Sequence, residues 1–558
     1  MNKKILRHLS PRQPYTYFTM EFYDKSNGIQ GAGGLGILAA DTRRVAEELD
    51  IPFITITPFY PQELRQIIEN NESIVEPKNT KPNDFDFRHI GYETINVAGA
   101  EPRKLSLYLK EIGSTKILSV TEESFGDLYV TNNGSGNERL YQNVANGFGG
   151  YRGMRKLGMK PAVMQLNESA TAFAVLARLD NLVEKGKPLN KAIQYLKKHT
   201  LYTNHTLIQA AESEFNLQQF ETYVFPNLVS PEVKTWLRGL FRDNQLRLNT
   251  ICLELTGLRN GVSKLHAKVA DYHDLEGKKV HFRAITNGID LPTWIHHRIL
   301  DVYLGKDILN DNYMLTKRYK RNIKKLTLKD IKELKQKGRA ELIKVLKKRK
   351  NYHGKTVEIP STSIIFDFKR RFADYKRPDL VFRDLGRLRA ILEKYDAYYL
   401  FTGRVFEGDV MMAEKLHDIL NRVEADDFLR ERVHYFPNYD EELGRALAVG
   451  SDIAISVPIV GLEACGTSFM KDIGNLKLLV STIDGGVADV RPAPVLQVIG
   501  KTEEEELSSL YGKMERAAEI LRNEQSLASQ IHKQLIGYLP IICGGRMVRD
   551  YLRYLFKY

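Results

Sequence analysis

The chain has 558 residues, 43% hydrophobic and 27% charged, with 82 Lys and Arg against 69 Asp and Glu for a formal charge of +13. At roughly 100–200 residues per domain this length allows about two to four domains around large cores. Three distant cysteines, Cys252, Cys465 and Cys543, fit no ligand spacing, which argues against a disulfide framework or structural zinc and for a reducing cytosol.

Short β-like runs alternate with helical patterns along the whole chain, which predicts α/β architecture with parallel sheets. In the first half the strands are 15–20, 52–57 and 161–166, and amphipathic helices cover 36–49, 139–157 and 169–184. The glycine cluster "GIQGAGGLGILAAD" (28–41) follows the first strand and opens a helix. Gly31, Gly33 and Gly36 formally match a dinucleotide fingerprint, but the required acid about twenty positions on is missing from "IPFITITPFY". A phosphate or sugar cradle at the helix N-terminus and a tight structural turn remain as readings. Asn167 and Glu168 in "QLNES", His205 in "YTNHT" and Asn287 in "ITNGI" are polar residues at strand ends, where sheet ligands bind.

A lysine-rich stretch, 317–350, carries much of the positive charge. Ile331, Leu334, Leu342, Ile343 and Leu346 recur at helical spacing within it, so a packed helix with a solvated basic face is expected. No nucleic-acid fold signature accompanies the charge, and no nucleic-acid partner is expected. The second half then alternates strands at 363–368, 397–403, 433–437, 452–457 and 476–481 with helices near 379–394, 409–423 and 440–449, a regular doubly wound series. Domains are expected at 1–290 (a Rossmann-like N-terminal domain) and 291–535 (a Rossmann-like C-terminal domain with the basic insert). The segment 536–558 is expected to be a helix returning to the first. Two doubly wound domains facing across a cleft is the GT-B arrangement.

Two clusters in the C-terminal half carry chemistry. "FKRRFADYKRPD" crowds Lys369, Arg370, Arg371, Lys376 and Arg377 at a strand end, a poor place for like charges unless an anion neutralises them. "VGLEACGTSFMKD" places Lys471 after Gly466, Thr467 and Ser468, where a helix N-terminus could receive an anion and a partly desolvated lysine could act as a nucleophile. Taken alone, these residues also fit a solvated loop and a structural lysine.

In order, "YFTMEF", "GAGGLGILAAD", "RLYQNVANGFGGYRGMRKLGMKP", "QLNES", "YTNHT", "NGVSKLH", "ITNGIDLPTW", "FKRRFADYKRPDLVF", "LEACGTSFMK" and "STIDGG" resemble the α-glucan phosphorylase family of glycogen, starch and maltodextrin phosphorylases, in a short form. The resemblance runs from about Tyr17 to about Asp489. It implies a glycosyltransferase that uses pyridoxal 5'-phosphate, joined covalently at Lys471. Gly466, Thr467, Ser468, Gly33, Gly34 and Arg370 would surround the cofactor phosphate or the adjoining site. Arg371 and Lys376 would hold inorganic phosphate. Glu463, the backbone at Cys465 and Gly466, Asn287 and His205 would contact the glucosyl unit. The substrates implied are an α-glucan and inorganic phosphate, with the cofactor phosphate serving in proton transfer and no metal required.

The chain departs from the family pattern at Cys465, Ala170, Val460 and Asp290, three of them on the glucan side. Two alternatives stand beside the phosphorylase: a nucleotide-sugar glucosyltransferase of the glycogen-synthase type, and a non-catalytic glucan-binding relative. No apolar h-region follows the basic N-terminus and no run is long enough to span a bilayer, so a cytoplasmic protein without a membrane partner is expected, with a homodimer left open.

Overall fold

The computed structural model describes residues 6–24, 34–126, 136–209, 212–304, 315, 319–405 and 409–557. By its internal contacts the chain divides into two units, one of Met1–Glu63, Lys78–Thr286 and Met547–Tyr558, the other of Leu64–Pro77 and Asn287–Arg546.

The sheet of the first unit contains β1 (Tyr15–Phe18), β2 (Phe53–Pro58), β3 (Arg88–Ile95), β4 (Arg103–Ile112), β5 (Thr115–Thr121), β6 (Val163–Asn167), β7 (Thr200–Asn204), β8 (Leu258–Gly261) and β9 (Arg283–Ala284). Their order is β9-β8-β7-β6-β1-β2-β5-β4-β3. From β9 to β5 all pairs are parallel, and β1, β2, β6 and β7 are buried along their whole length, which explains their continuous apolar character. The parallel sheet expected here carries an antiparallel far edge, formed by β5, β4 and β3. The connections 96–102 and 113–114 are too short for a crossover, and β4 alternates buried with more open positions as a one-sided strand does. The helix expected over 139–157 is interrupted: Asn137–Val144 and Gly150–Lys156 flank a π-turn at Ala145–Gly149. A Cβ on Gly147 would lie 2.4 Å from Phe173 Cβ, so close packing occupies the space a side chain would need. The last helix, Gly544–Phe556, supplies Met547, Val548, Tyr551, Leu552 and Leu555 to the core that contains Tyr15, Tyr17 and Phe53.

The sheet of the second unit contains β10 (Ile364–Lys369), β11 (Ala397–Thr402), β12 (Val433–Phe436), β13 (Ile453–Ser456), β14 (Leu478–Ser481) and β15 (Leu496–Gln497). All pairs are parallel in the order β12-β11-β10-β13-β14-β15, a doubly wound order that adds β15 to the five strands expected for this half. The chain leaves β10 towards one side and β13 towards the other, so the carboxyl ends of these two strands border the crevice where such sheets bind ligands. Residues 64–77 group with this unit: Gln66 Oε1 accepts from Tyr435 Oη at 3.1 Å, and Asn438 Nδ2 donates to the Gln66 carbonyl at 2.6 Å.

The lysine-rich stretch forms two helices, Tyr319–Lys325 and Leu328–Leu346, rather than one. Thr327 starts the second as its N-cap in a reciprocal capping box with Asp330. Ile331, Leu334, Leu342 and Leu346 are buried, and Gly338 faces the helix Glu441–Gly450 so closely that a Cβ would meet the Val449 carbonyl at 2.3 Å. Arg339 donates to the Gly450 and Ser363 carbonyls, each at 2.9 Å. No helix among the described residues is long and apolar enough to cross a membrane.

Candidate active site

The loops after β10 and β13 meet at the switch point of the second sheet. Beyond β10 the backbone continues beside β11, with Arg370 N–H donating to the Thr402 carbonyl and Phe372 N–H to that of Arg404, each at 3.2 Å. Phe372 anchors the turn against Phe368, Phe401 and Tyr435. A single 3₁₀ turn, Asp374–Lys376, then presents Lys376. Arg377 follows in the left-handed region, φ 50°, and points away from this cluster: its Nε donates to the Val457 carbonyl at 2.8 Å and its guanidinium pairs with Glu506. It ties the β10 loop to the end of β13.

Glu463 is the meeting point of the cations. Arg370 Nη1 lies 3.3 Å from Glu463 Oε2, and Lys376 Nζ pairs with the same oxygen. Burial alone would raise the Glu463 carboxyl. The charges of Lys376, Arg370 and Arg371 together outweigh it and hold the carboxyl below its ordinary range. Two residues with separate expected partners, Lys376 for phosphate and Glu463 for sugar, are thus one ion pair. Asp484 fixes the Glu463 loop: its Oδ2 accepts from the backbone N–H groups of Gly461 and Glu463, both at 2.9 Å, and its Oδ1 from Gly485 at 2.8 Å. Asp484 was not among the residues singled out in the sequence. Its position in "STIDGG" carries no signal until the two loops are brought together.

Past Glu463, Gly466 leaves only 3.2 Å between a would-be Cβ and Glu463 Oε1. Thr467 is the N-cap of the short helix Ser468–Gly474, and its side chain makes no capping bond to that helix. Lys471 is buried within that helix, its Nζ 3.1 Å from the ring centroid of the fully buried Trp294. Asn475 braces this pair: its Nδ2 donates to the Trp294 and Lys471 carbonyls, each at 2.9 Å, and its Oδ1 accepts from His296 N–H at 2.9 Å. Trp294 and Asn475 also escaped sequence reasoning, because neither residue type announces a lysine neighbour.

Asn287 Nδ2 donates to the Cys465 carbonyl at 3.2 Å, while its buried Oδ1 has no hydrogen-bond partner among the described residues. An orphaned buried acceptor beside Cys465 suits a ligand hydroxyl. Burial, then the Asp489 carboxylate, push the Cys465 thiol well up, so it is not a reactive thiolate. Iodoacetamide at pH 8 is expected to leave Cys465 unlabelled in the native protein and label it after denaturation; native labelling read by peptide mass would contradict this. Asp290 has a local role, with Oδ2 accepting from Thr293 N–H at 3.1 Å and from its hydroxyl at 2.6 Å. Val460 is 56% exposed.

In the first unit, His205 Nε2 is 2.8 Å from Asn167 Oδ1 at the ends of β7 and β6, and His205 N–H donates to Glu168 Oε2 at 2.8 Å. Burial, then the neighbouring Glu212, raise the Glu168 carboxyl well above its ordinary range. Glu212, bonded to Ser169 and to Tyr272 (2.7 Å), completes this group. Ala170 lies in the 3₁₀ turn Ser169–Thr171. Gly34 opens the helix Gly34–Glu48 and is exposed; Gly33 lies outside the described residues.

Burial lowers the His205 imidazole to about 3 and that of His266 to about 4, from 6.5. His266 Nδ1 accepts from Val262 N–H at 3.2 Å, which fixes the neutral ring with its proton on Nε2. Unfolded, His266 protonates near 6.5, so between pH 6.5 and about 4 the unfolded chain binds the extra proton and stability falls as pH falls. His266→Asn is expected to flatten the pH slope of thermal unfolding in that window; an unchanged slope would refute the assignment.

The buried lysine and three cations bearing on one carboxylate fit pyridoxal phosphate: an amine to hold its carbonyl carbon and positive charge for its phosphate. Residues 238–539 match the sequence profile of the carbohydrate phosphorylase family. The chain is 26% identical to the maltodextrin phosphorylase of Thermococcus litoralis, over 97% of this chain and 70% of that one. It is 25% identical to the glycogen phosphorylase of Aquifex aeolicus, over 99% and 87%, and 25% identical to that of Mycobacterium bovis, over 97% and 70%. With more than half of its length matched by that profile, this chain belongs to the carbohydrate phosphorylase family.

Proposed function

We propose that the enzyme is an α-1,4-glucan phosphorylase that reversibly cleaves glycogen or maltodextrin from the non-reducing end to α-glucose 1-phosphate, with retained configuration. The observation that carries this reading is the shared loop: Glu463, which gathers Arg370, Arg371 and Lys376, lies eight positions before the buried Lys471. The relatives' names, glycogen and maltodextrin phosphorylase, support the substrate class.

Bound through Lys471, pyridoxal phosphate would supply a phosphate group beside the substrate phosphate to assist proton transfer. Arg371 and Lys376 hold the substrate phosphate close despite its repulsion from a second anion, an electrostatic and positioning role. That phosphate gives a proton to the glycosidic oxygen as the bond breaks, and one of its oxygens bonds to the anomeric carbon. Arg370, Gly466, Thr467 and Ser468 line the cofactor side, while Glu463, Asn287 and the backbone of Cys465 take the glucosyl hydroxyls; the family resemblance adds Gly34 to the first role and Gly33 and His205 to the second. Glu463 is ionised and acts as an acceptor; His205 is neutral, so it recognises a hydroxyl by hydrogen bonding rather than by charge. This reading takes the two units as halves of a GT-B enzyme acting in the cytoplasm.

The test is to supply maltodextrin and inorganic phosphate and follow the phosphorus resonance of the product. Release of α-glucose 1-phosphate, with a pyridoxyl peptide at Lys471 after borohydride reduction, is expected. Glucosyl transfer from a nucleotide sugar without phosphorolysis, or glucan binding with no product, would overturn the reading.

A further inference from the structure

Four charges buried immediately behind the candidate site have no part in the chemistry above. Asp367 and Lys369 end β10, Asp472 follows Lys471 in its helix, and Lys477 stands just before β14. None is more than 5% exposed. Lys369 Nζ is 3.0 Å from Asp367 Oδ2 and also pairs with Asp472 Oδ1. Lys477 Nζ is 2.7 Å from Asp472 Oδ1 and pairs with Asp367 Oδ1. Each ammonium meets both carboxylates, so the four close a ring. Ser451 Oγ donates to Asp367 Oδ1 at 2.9 Å, Lys477 Nζ to the Leu447 carbonyl at 3.3 Å, and Lys477 N–H to the Asp472 carbonyl at 3.1 Å.

Stability alone does not account for such a ring. Charges withdrawn from water recover their hydration only with ideal partners, and apolar residues of similar volume generally do as well. What a closed ring adds is register. Apolar contacts tolerate a small slip between a helix and a strand, whereas these pairs bond in one arrangement only. The placement gives that register a consequence. Lys369 is joined by its peptide bond to Arg370, and Asp472 to Lys471. Sliding the helix Ser468–Gly474 along β10 would move the Lys471 amine relative to the Arg370 and Arg371 guanidinium groups.

We propose that the Lys369–Asp472 ion pair, held in its ring by Asp367 and Lys477, is a positioning device that sets the separation between the cofactor-bearing lysine and the phosphate-binding arginines. The inference rests on the phosphorylase reading of Lys471, Arg370 and Arg371. Both charges of the Lys369–Asp472 pair are favoured by their neighbours, whereas burial lowers Lys477. Burial alone would deprotonate Lys369, but the Asp367 and Asp472 carboxylates prevail and hold it above the ordinary lysine value. Against the same burial, Lys369 and Lys477 keep Asp472 below the ordinary carboxylate value.

Two charge-balanced variants of the full chain separate positioning from packing. K369M/D472L removes the strand-to-helix pair and leaves Asp367 with Lys477. D367L/K477M removes the other pair and leaves Lys369 with Asp472. K369M/D472L is expected to lower kcat/KM for phosphate by about 30- to 100-fold, as a misplacement of order 1 Å does, and to change the absorption and circular dichroism of the pyridoxyl group. D367L/K477M should lose at least about tenfold less than that. Equal losses in the two, or none in K369M/D472L, would overturn the proposal. Should K369M/D472L not fold, Asp472→Glu decides: it keeps the charge but lengthens the tie by one methylene. It is expected to retain the melting temperature while kcat/KM for phosphate falls about tenfold, and unchanged kinetics would overturn the proposal. A wild-type protein with neither a pyridoxyl adduct nor phosphorolysis removes the functional reading and this inference together. An active wild type with unaltered Asp472→Glu removes the positioning role alone.

Discussion

Lys471→Ala is expected to lose at least about a thousandfold in phosphorolysis and to yield no pyridoxyl peptide after borohydride reduction, because no other group replaces a covalent anchor. The fold should survive. Asn475 still bridges the Trp294 and residue 471 carbonyls, and the ring of Asp367, Lys369, Asp472 and Lys477 still holds the helix to its neighbours. Lys471→Arg sharpens the result. It keeps a cation against the Trp294 ring, where such contacts are worth up to about 2 kcal/mol when desolvated, so it should melt above the alanine variant. It nevertheless cannot anchor the cofactor and should be equally inactive. Lys471→Arg with more than about 1% of wild-type turnover would sink the assignment, since charge rather than covalent attachment would then be the lysine's contribution.

Lys376→Met should lower kcat/KM for phosphate by about 100- to 1000-fold, the range seen when one preorganised donor to a developing anion is removed. Its second effect is on Glu463. Burial raises that carboxyl, and Lys376 is foremost among the charges that reverse the effect. With Lys376 gone, Arg370 and Arg371 oppose burial alone and the Glu463 pKa must rise. A carboxyl depressed in the folded state adds stability above its unfolded value near 4.5, which is lost as pH falls through the folded value. Less depression means less of that contribution, so acid unfolding of Lys376→Met should begin at a higher pH than in wild type. Saturation kinetics in phosphate and an acid titration of near-ultraviolet circular dichroism read the two effects separately. Unchanged phosphate kinetics would remove Lys376 from the clamp.

The local content of the chain was open to sequence reading wherever one residue type imposes one geometry. The buried strands β11 and β13 stand out as largely apolar runs because parallel strands covered on both faces favour apolar side chains, and β10 reads the same way up to Phe366. The helix Leu328–Leu346 shows its core stripe at Ile331, Leu334, Leu342 and Leu346, and Thr327 with Asp330 marks its start. The antiparallel edge of β3, β4 and β5 was not visible, since pairing direction depends on connection length more than on composition.

Sequence by itself determined the alternation of strands and helices over residues 363–481, and local pattern together with the family resemblance named Arg370, Arg371, Lys376, Glu463 and Lys471 as candidates. Only the tertiary structure decided which of them touch. Lys376 and Glu463 are 87 positions apart, and Lys369 and Asp472 are 103 apart. The physical reason is that a charge carries no sign of its partner in its own neighbourhood. Arg377 looks as basic as Arg370 in "FKRRFADYKRPD", yet its left-handed backbone turns it to the Val457 carbonyl and Glu506. Lys369, one residue before the site, turns inward to two aspartates and becomes part of its frame.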